Sequence, residues 1–156
     1  MAQTPFDPTE IAARGLQLSG MDYIRAIFAG ELPAPPIATL MGFHGVEAEP
    51  GRALFEMEPG PQHYNPIGSV HGGIALTLLD SAMGCAVHTL LDAGVGYTTI
   101  ELKTNFVRAI TAETGVIRCE GTVIHKGSRV ATAEGKLTDS AGRLLAHGTT
   151  TCLILQ

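Results

Sequence analysis

Asn65-Pro66-Ile67-Gly68-Ser69-Val70-His71-Gly72-Gly73-Ile74-Ala75-Leu76-Thr77-Leu78-Leu79-Asp80-Ser81-Ala82 is the stretch that decides the fold. It passes from a turn-rich loop into a run whose apolar residues continue through Met83, Val87 and Leu90, predicting one helix over about residues 72–91. A helix apolar nearly all round has to be enclosed on most sides, and a strongly curved sheet wrapped around it would do that. Two glycines at its start and a single acid, Asp80, in its middle each weaken it, and packing alone does not explain either.

At 100° per residue, Gly73, Thr77, Asp80, Ser81, Gly84 and His88 share an arc of about 100°. Two readings of this small, polar stripe stand side by side. In one, Gly73 and Gly84 let another element approach closely and Asp80 is satisfied by neighbouring hydroxyls. In the other, unpaired amides at Gly72, Gly73 and Ile74 face outward at the positive end of the helix dipole, where a carbonyl oxygen can come close. One well-placed donor of that kind is worth roughly 3 kcal/mol in a reaction barrier.

Spacing constrains the second reading. Seven residues separate Gly73 from Asp80, about 10 Å along a helix, whereas a base acts within about 3 Å of the proton it takes. The two groups cannot serve one carbonyl carbon from one chain. Two chains paired about a two-fold axis, with these helices antiparallel, would bring Gly73 of one to Asp80 of the other and create two equivalent sites. The active unit is therefore expected to be a homodimer.

The flanking sequence supplies the sheet. Strands are expected from Met41, with a turn at Glu49-Pro50-Gly51 and a second strand over Ala53 to Glu58. After the helix, a turn at Gly94 to Gly96 leads into TTIELKTNFVRA, in which Ile100, Leu102 and Phe106 alternate with Glu101, Lys103 and Asn105. Three more period-two segments follow over about 114–126, 128–139 and 143–155, divided by Lys126-Gly127-Ser128 and Asp139-Ser140-Ala141-Gly142. Ahead of them, Ile11, Leu16, Ile24, Ile27 and Phe28 recur at helical spacing, capped by Asp7 or Thr9, with Gly15 and Gly20 as interruptions. Pro33, Pro35 and Pro36 then force an extended crossing. The expected class is α+β, with about six antiparallel strands around one central helix, and the expected division is an N-terminal extension over 1–40 and a main domain over 41–156.

Composition narrows the partners. At 156 residues the chain suits one sizeable core, and a charged fraction of 16% fits an oligomer that covers more than the usual surface. A net charge of −5 disfavours broad binding to nucleic acid or anionic membrane. Five of the ten basic residues, Lys103, Arg108, Arg118, Lys126 and Arg129, nevertheless fall between 103 and 129, where one acidic group could land. The three cysteines, Cys85, Cys119 and Cys152, lack a paired spacing and read as reduced thiols, which predicts a cytoplasmic setting. The N-terminus has no secretory pattern and no apolar run is long enough to span a bilayer, so a soluble protein is expected.

The run Asn65 to Gly73 followed by Asp80 resembles the signature of hotdog-fold acyl-CoA thioesterases, in the phenylacetate-pathway (PaaI-type) branch, and the resemblance extends over about residues 41–155. It implies hydrolysis of an acyl-CoA thioester without a cofactor. By this resemblance Asp80 activates water or attacks directly, and the Gly73 amide holds the thioester oxygen. Asn65 and His71 orient the thioester and the loop, and Thr98 or Thr99 holds the attacking water. Period two sends those two threonines to opposite faces and leaves the choice open. Coenzyme A would enter between subunits beside Lys126, Gly127, Ser128 and Arg129, with Gly72 and Arg108 as further contacts. Family members are dimers that commonly pair into tetramers, so a homotetramer is implied.

Other chemistries fit less well. His63, His71, His88 and Cys85 offer no short zinc-ligand spacing, and no metal is expected. Cys85 lies inside the apolar helix with no partner base. The alternative function is acyl-CoA binding without hydrolysis, as a sensor or carrier; a hydratase would need a different arrangement of Asp and His.

Overall fold

The computed structural model describes residues 7–156; residues 1–6 of the extension expected over 1–40 lie outside them. Three helices open the chain: α1 (Pro8–Gly15), α2 (Gly20–Phe28) and α3 (Pro36–Met41). Strands β1 (Phe43–Glu49) and β2 (Arg52–Met57) follow, then helix α4 (Gly72–His88), and then β3 (Gly96–Phe106), β4 (Ile117–Lys126), β5 (Val130–Asp139) and β6 (Leu144–Leu155). All neighbours are antiparallel in the order β1-β2-β4-β5-β6-β3, so β3 is an edge strand. The α+β class and the six-stranded sheet around a central helix are as the sequence predicts.

Close packing of α4 on the sheet has a specific cause. Gly121, Gly135 and Gly148 lie opposite one another on β4, β5 and β6. A Cβ on Gly121 would overlap the Ala82 and Met83 backbone of α4, and one on Gly135 would lie 2.9 Å from Leu79. This bare row lets Leu78, Leu79, Ala82, Met83 and Val87 sink fully out of solvent against Met57, Ile117, Cys119 and Leu137. Register shifts at Gly45/Glu47, Thr99/Glu101, Val123/His125 and Leu137/Thr138 mark bulges, which bend strands and increase twist.

Three local expectations need correction, while the helical lead-in divides where Gly15 and Gly20 interrupt it: α1 ends at Gly15, and Ser19 caps α2 from Gly20 by accepting from Asp22 N–H. The proline segment is not extended throughout: Pro35 is the extended N-cap and Pro36 begins α3, where proline's missing N–H is harmless in a first turn. Helix α4 stops at His88 rather than near 91, as Leu90 and Leu91 turn back to the carbonyls three residues earlier and Thr89 spends its hydroxyl on Ala86 and Gly51. Ile100 is the extra residue of the β3 bulge and is exposed, not a member of the inward set with Leu102.

The leading helices pack on the core. Gly20 N–H bonds the Leu91 carbonyl at 2.9 Å, and a Cβ there would collide with the His88 backbone. Phe28 meets Phe55 edge to face at 5.1 Å between centroids.

Candidate functional site

Asp80 sits half-buried on the small, polar stripe of α4, which faces edge strand β3. The Thr99 hydroxyl donates to its Oδ1 at 2.9 Å, while Thr98 is exposed on the other face of β3. Thr99 is aligned with Cys152 on β6, and the bulge at Ile100 follows directly. Asp80 and Thr99 line a cavity of about 330 Å³ together with Ser81 and Cys85 of α4 and Tyr97 of β3. Its remaining wall comes from α2, α3, β1 and β2.

The groups around the carboxylate are held neutral. Burial and then the Asp80 charge push the Cys85 thiol up to about 12. Burial, followed by the neighbouring Cys85, raises the Tyr97 phenol well above its ordinary value. His88 lies between Tyr23 and Tyr97, with ring centroids 5.5 and 5.3 Å away, and burial lowers its basicity. Gly84 fulfils the packing reading, since a Cβ would lie 2.7 Å from the Tyr97 hydroxyl.

The start of α4 differs from expectation in one respect. Its amides are not all unpaired: His71 is the N-cap, its Nδ1 accepts from Gly73 N–H at 2.9 Å, and its carbonyl accepts from Ile74 N–H at 2.9 Å. Only Gly72 N–H has no acceptor among the described residues. An N-cap side chain with a free acceptor commonly satisfies the second or third amide of a helix, and His71 Nδ1 fills that role here. The His71 ring is exposed. Gly72 lies beneath Phe106, whose ring would be 3.0 Å from a Cβ there.

Asn65, His71, Gly72 and Arg108 line a second cavity of about 340 Å³, distinct from that of Asp80. Asn65 is engaged locally: Oδ1 accepts from the Ile67 and Ser69 amides and Nδ2 donates to Ser69 Oγ. His71 N–H bonds the His63 carbonyl and Val70 N–H the Ile110 carbonyl, which fixes the approach to the helix. Lys126, Gly127, Ser128 and Arg129 line neither cavity. Their turn lies at the Thr99 end of the sheet, because Lys126 is aligned with Ala131, Ala131 with Cys152 and Cys152 with Thr99. Arg108 is at the opposite end, beside His71. Lys126, Arg129 and Arg108 form no salt bridge among the described residues, whereas Arg118 pairs with Glu56.

Within one chain, then, the acid and its threonine occupy one cavity and the helix tip occupies another. Residues that sequence reasoning did not assign to a site are Tyr97, Ser81 and the aromatic wall Phe28, Phe43 and Phe55. Ser81 had a signal in its place on the small, polar stripe of α4, whereas the aromatic residues offered none that a core residue would not also give. Among the described residues no three His, Cys, Asp or Glu side chains gather as a metal-ligand group.

Residues 67–146 match the sequence pattern of the Thioesterase superfamily. A candidate esterase of Saccharolobus solfataricus is 32% identical over 86% of this chain and 94% of its own. Human acyl-coenzyme A thioesterase 13 is 32% identical over 66% of this chain and 73% of its own. Among solved structures, a phenylacetic acid degradation-related protein of Ralstonia eutropha JMP134 superposes with a TM-score of 0.76 at 27% identity, covering 84% of this chain and 98% of that one. With the six-stranded sheet around α4 and the match over residues 67–146, this chain belongs to the thioesterase superfamily as a hotdog-fold member.

Proposed function

We propose that this thioesterase hydrolyses an acyl-CoA thioester to a carboxylic acid and coenzyme A, in a homodimer whose two subunits share each reaction centre. The observation that carries the reading is the division of labour between the two cavities: Asp80 and Thr99 face one, His71, Gly72 and Arg108 the other. Two antiparallel copies of α4 unite them.

Asp80 is the base that takes a proton from water, or the nucleophile that attacks the thioester carbon. Thr99 holds the carboxylate and the water against each other, and its bond to Oδ1 leaves Oδ2 for the reaction. From the partner subunit, the helix tip receives the negative charge that develops on the thioester oxygen. Gly72 N–H is available as it stands; Gly73 N–H becomes available when the exposed His71 ring swings off, exchanging a neutral hydrogen bond worth about 1 kcal/mol for one to a developing anion. Asn65 keeps the loop in shape. Lys126, Gly127, Ser128 and Arg129 receive the pantetheine or nucleotide phosphates at the Thr99 end of the sheet, and Arg108 supplements them from the other subunit.

Association is supported by the edge strand β3 and by apolar exposure beside the helix tip: Ile67 is 85% exposed, Phe106 58% and Val107 48%. A long edge with apolar neighbours invites a second chain. Pairing of two dimers into a homotetramer, a cytoplasmic setting for the free cysteines, and a division at residues 1–40 and 41–156 complete the proposal. The likeness to the Ralstonia protein supports the PaaI-type branch.

The capped Gly73 amide favours a second reading, acyl-CoA binding without hydrolysis. One assay separates them. Thiol release across a panel of acyl-CoA thioesters should fall about a thousandfold in Asp80→Ala relative to wild type. Release absent in both favours the binder; equal release in both removes Asp80 from the mechanism.

A further inference from the structure

We infer that the N-terminal helices form the acyl-selecting wall of the site, with Phe28 as the residue that limits acyl length, so that the preferred substrates carry an uncharged apolar acyl group of medium length or a single ring. The inference rests on the thioesterase reading and adds its substrate class.

The Asp80 cavity supplies the argument. It opens from the carboxylate into an apolar chamber closed by Ile24, Ile27 and Phe28 of α2, by Phe43 and Phe55, and by Pro35 at the start of α3. Three of the five phenylalanines of the chain are in this one wall. Phe28 and Phe43 both meet Phe55 edge to face, at 5.1 and 5.8 Å, an arrangement that leaves ring faces to pack against a further apolar group.

Phe28 is fixed where it stands by a matching vacancy on β1. A Cβ on Gly45 would overlap the Phe28 ring, and the bulge that follows Gly45 turns the next residues away. The ring therefore lies across β1 as a stop, held by Gly45 beneath it and Phe55 beside it. The volume of about 330 Å³ is at the lower end of the roughly 300 to 1,000 Å³ of small-molecule sites, so the position of the Phe28 ring sets how far an acyl chain reaches.

Charge completes the specificity. Among the described lining residues, Asp80 and His44 are the only ionisable acid or base apart from the neutral Cys85 and Tyr97. With no Lys or Arg there, an acyl group bearing a second carboxylate would be desolvated beside the Asp80 charge and rejected.

The test measures binding and hydrolysis separately on the full chain. Affinities for inert S-alkyl-CoA thioethers (ethyl, hexyl, dodecyl) are compared in wild type, Phe28→Ala, Phe28→Leu and Ile27→Trp, alongside kcat/KM for acetyl-, hexanoyl-, phenylacetyl-, dodecanoyl- and succinyl-CoA. Shortening Phe28 should raise the dodecyl-to-ethyl preference at least tenfold, Ile27→Trp should lower it by as much, and succinyl-CoA should be the poorest substrate. Phe28→Leu keeps the comparison open if the alanine variant does not fold. Equal changes for every chain length, or succinyl-CoA turned over as well as hexanoyl-CoA, would overturn the inference. Thioether selectivity that follows Phe28 while no thioester is hydrolysed would uphold the wall and defeat the hydrolase reading instead.

Discussion

The Thr99 hydroxyl donates to Asp80 Oδ1 at 2.9 Å, tying edge strand β3 to the middle of α4 across 19 residues of sequence. That one bond fixes the direction in which the carboxylate presents its second oxygen. Thr99→Val should lower kcat about ten- to a hundredfold with KM little changed, and Thr99→Ser should restore most of it. Thr98→Val, on the exposed face, should leave both constants within twofold. Steady-state kinetics on the three variants check this.

Cys85 borders the same cavity but is not a nucleophile. With its thiol raised to about 12, roughly one molecule in ten thousand is thiolate at pH 8. Native protein at that pH should show no alkylation of Cys85 by iodoacetamide over an hour, read by intact-mass and peptide spectrometry, and Cys85→Ser should retain activity within a few fold.

His88 makes acid destabilising. Burial favours its neutral form, so the unfolded chain takes up a proton near pH 6.5 where the folded chain does not. As pH falls below that value the unfolded state binds more protons and stability declines. His88→Phe, which keeps the stack with Tyr23 and Tyr97, should reduce the slope of Tm against pH between pH 6.5 and 5.

Asp139 adds a lower limb to the same profile. Amides of Arg143 and Ala141 and the Arg143 guanidinium hold its carboxyl below the usual range. Its contribution is complete above the unfolded carboxyl value of about 3.9 and disappears as pH falls through the lowered folded value. Asp139→Asn should lower Tm at pH 7 and flatten the loss of Tm below pH 4.

Gly121 permits the approach of α4. Gly121→Ala puts a methyl group into the Ala82–Met83 backbone, which cannot yield as a flexible side chain would. Loss of about 3 kcal/mol is expected, read by urea denaturation; Gly142→Ala, in an open turn, should lose less than half of that.

Much of this architecture is legible in the residues. Period two in β4 to β6 and the all-round apolarity of α4 are signals of burial, and burial is what forms the sheet and encloses the helix. Pairing of Thr99 with Asp80 is a different matter: alternation alone cannot say which of two adjacent threonines faces inward, because a bulge at Ile100 resets the count and its placement depends on β6. The His71 cap was equally hidden, since a ring next to two glycines reads as well for a ligand contact as for a helix cap. The chamber behind Asp80 depends on Phe28 meeting Gly45 and Phe55, three segments joined only by the fold. Sequence spacing does exclude a shared centre within one chain, and the separate cavities of Asp80 and His71 agree with that distance.

Subunit sharing is tested most directly by complementation. Gly73→Pro removes the amide donor at a first-turn position where proline is tolerated, and Asp80→Ala removes the acid. Each variant alone should lose at least about a hundredfold in activity, Gly73→Pro keeping a remnant through the Gly72 amide. Co-expressed with distinct tags, random assortment makes about half the dimers mixed, each with one intact centre, so activity should return to about a quarter of wild type. No recovery, in a mixture shown by its tags to contain mixed dimers, would contradict a centre built from two chains.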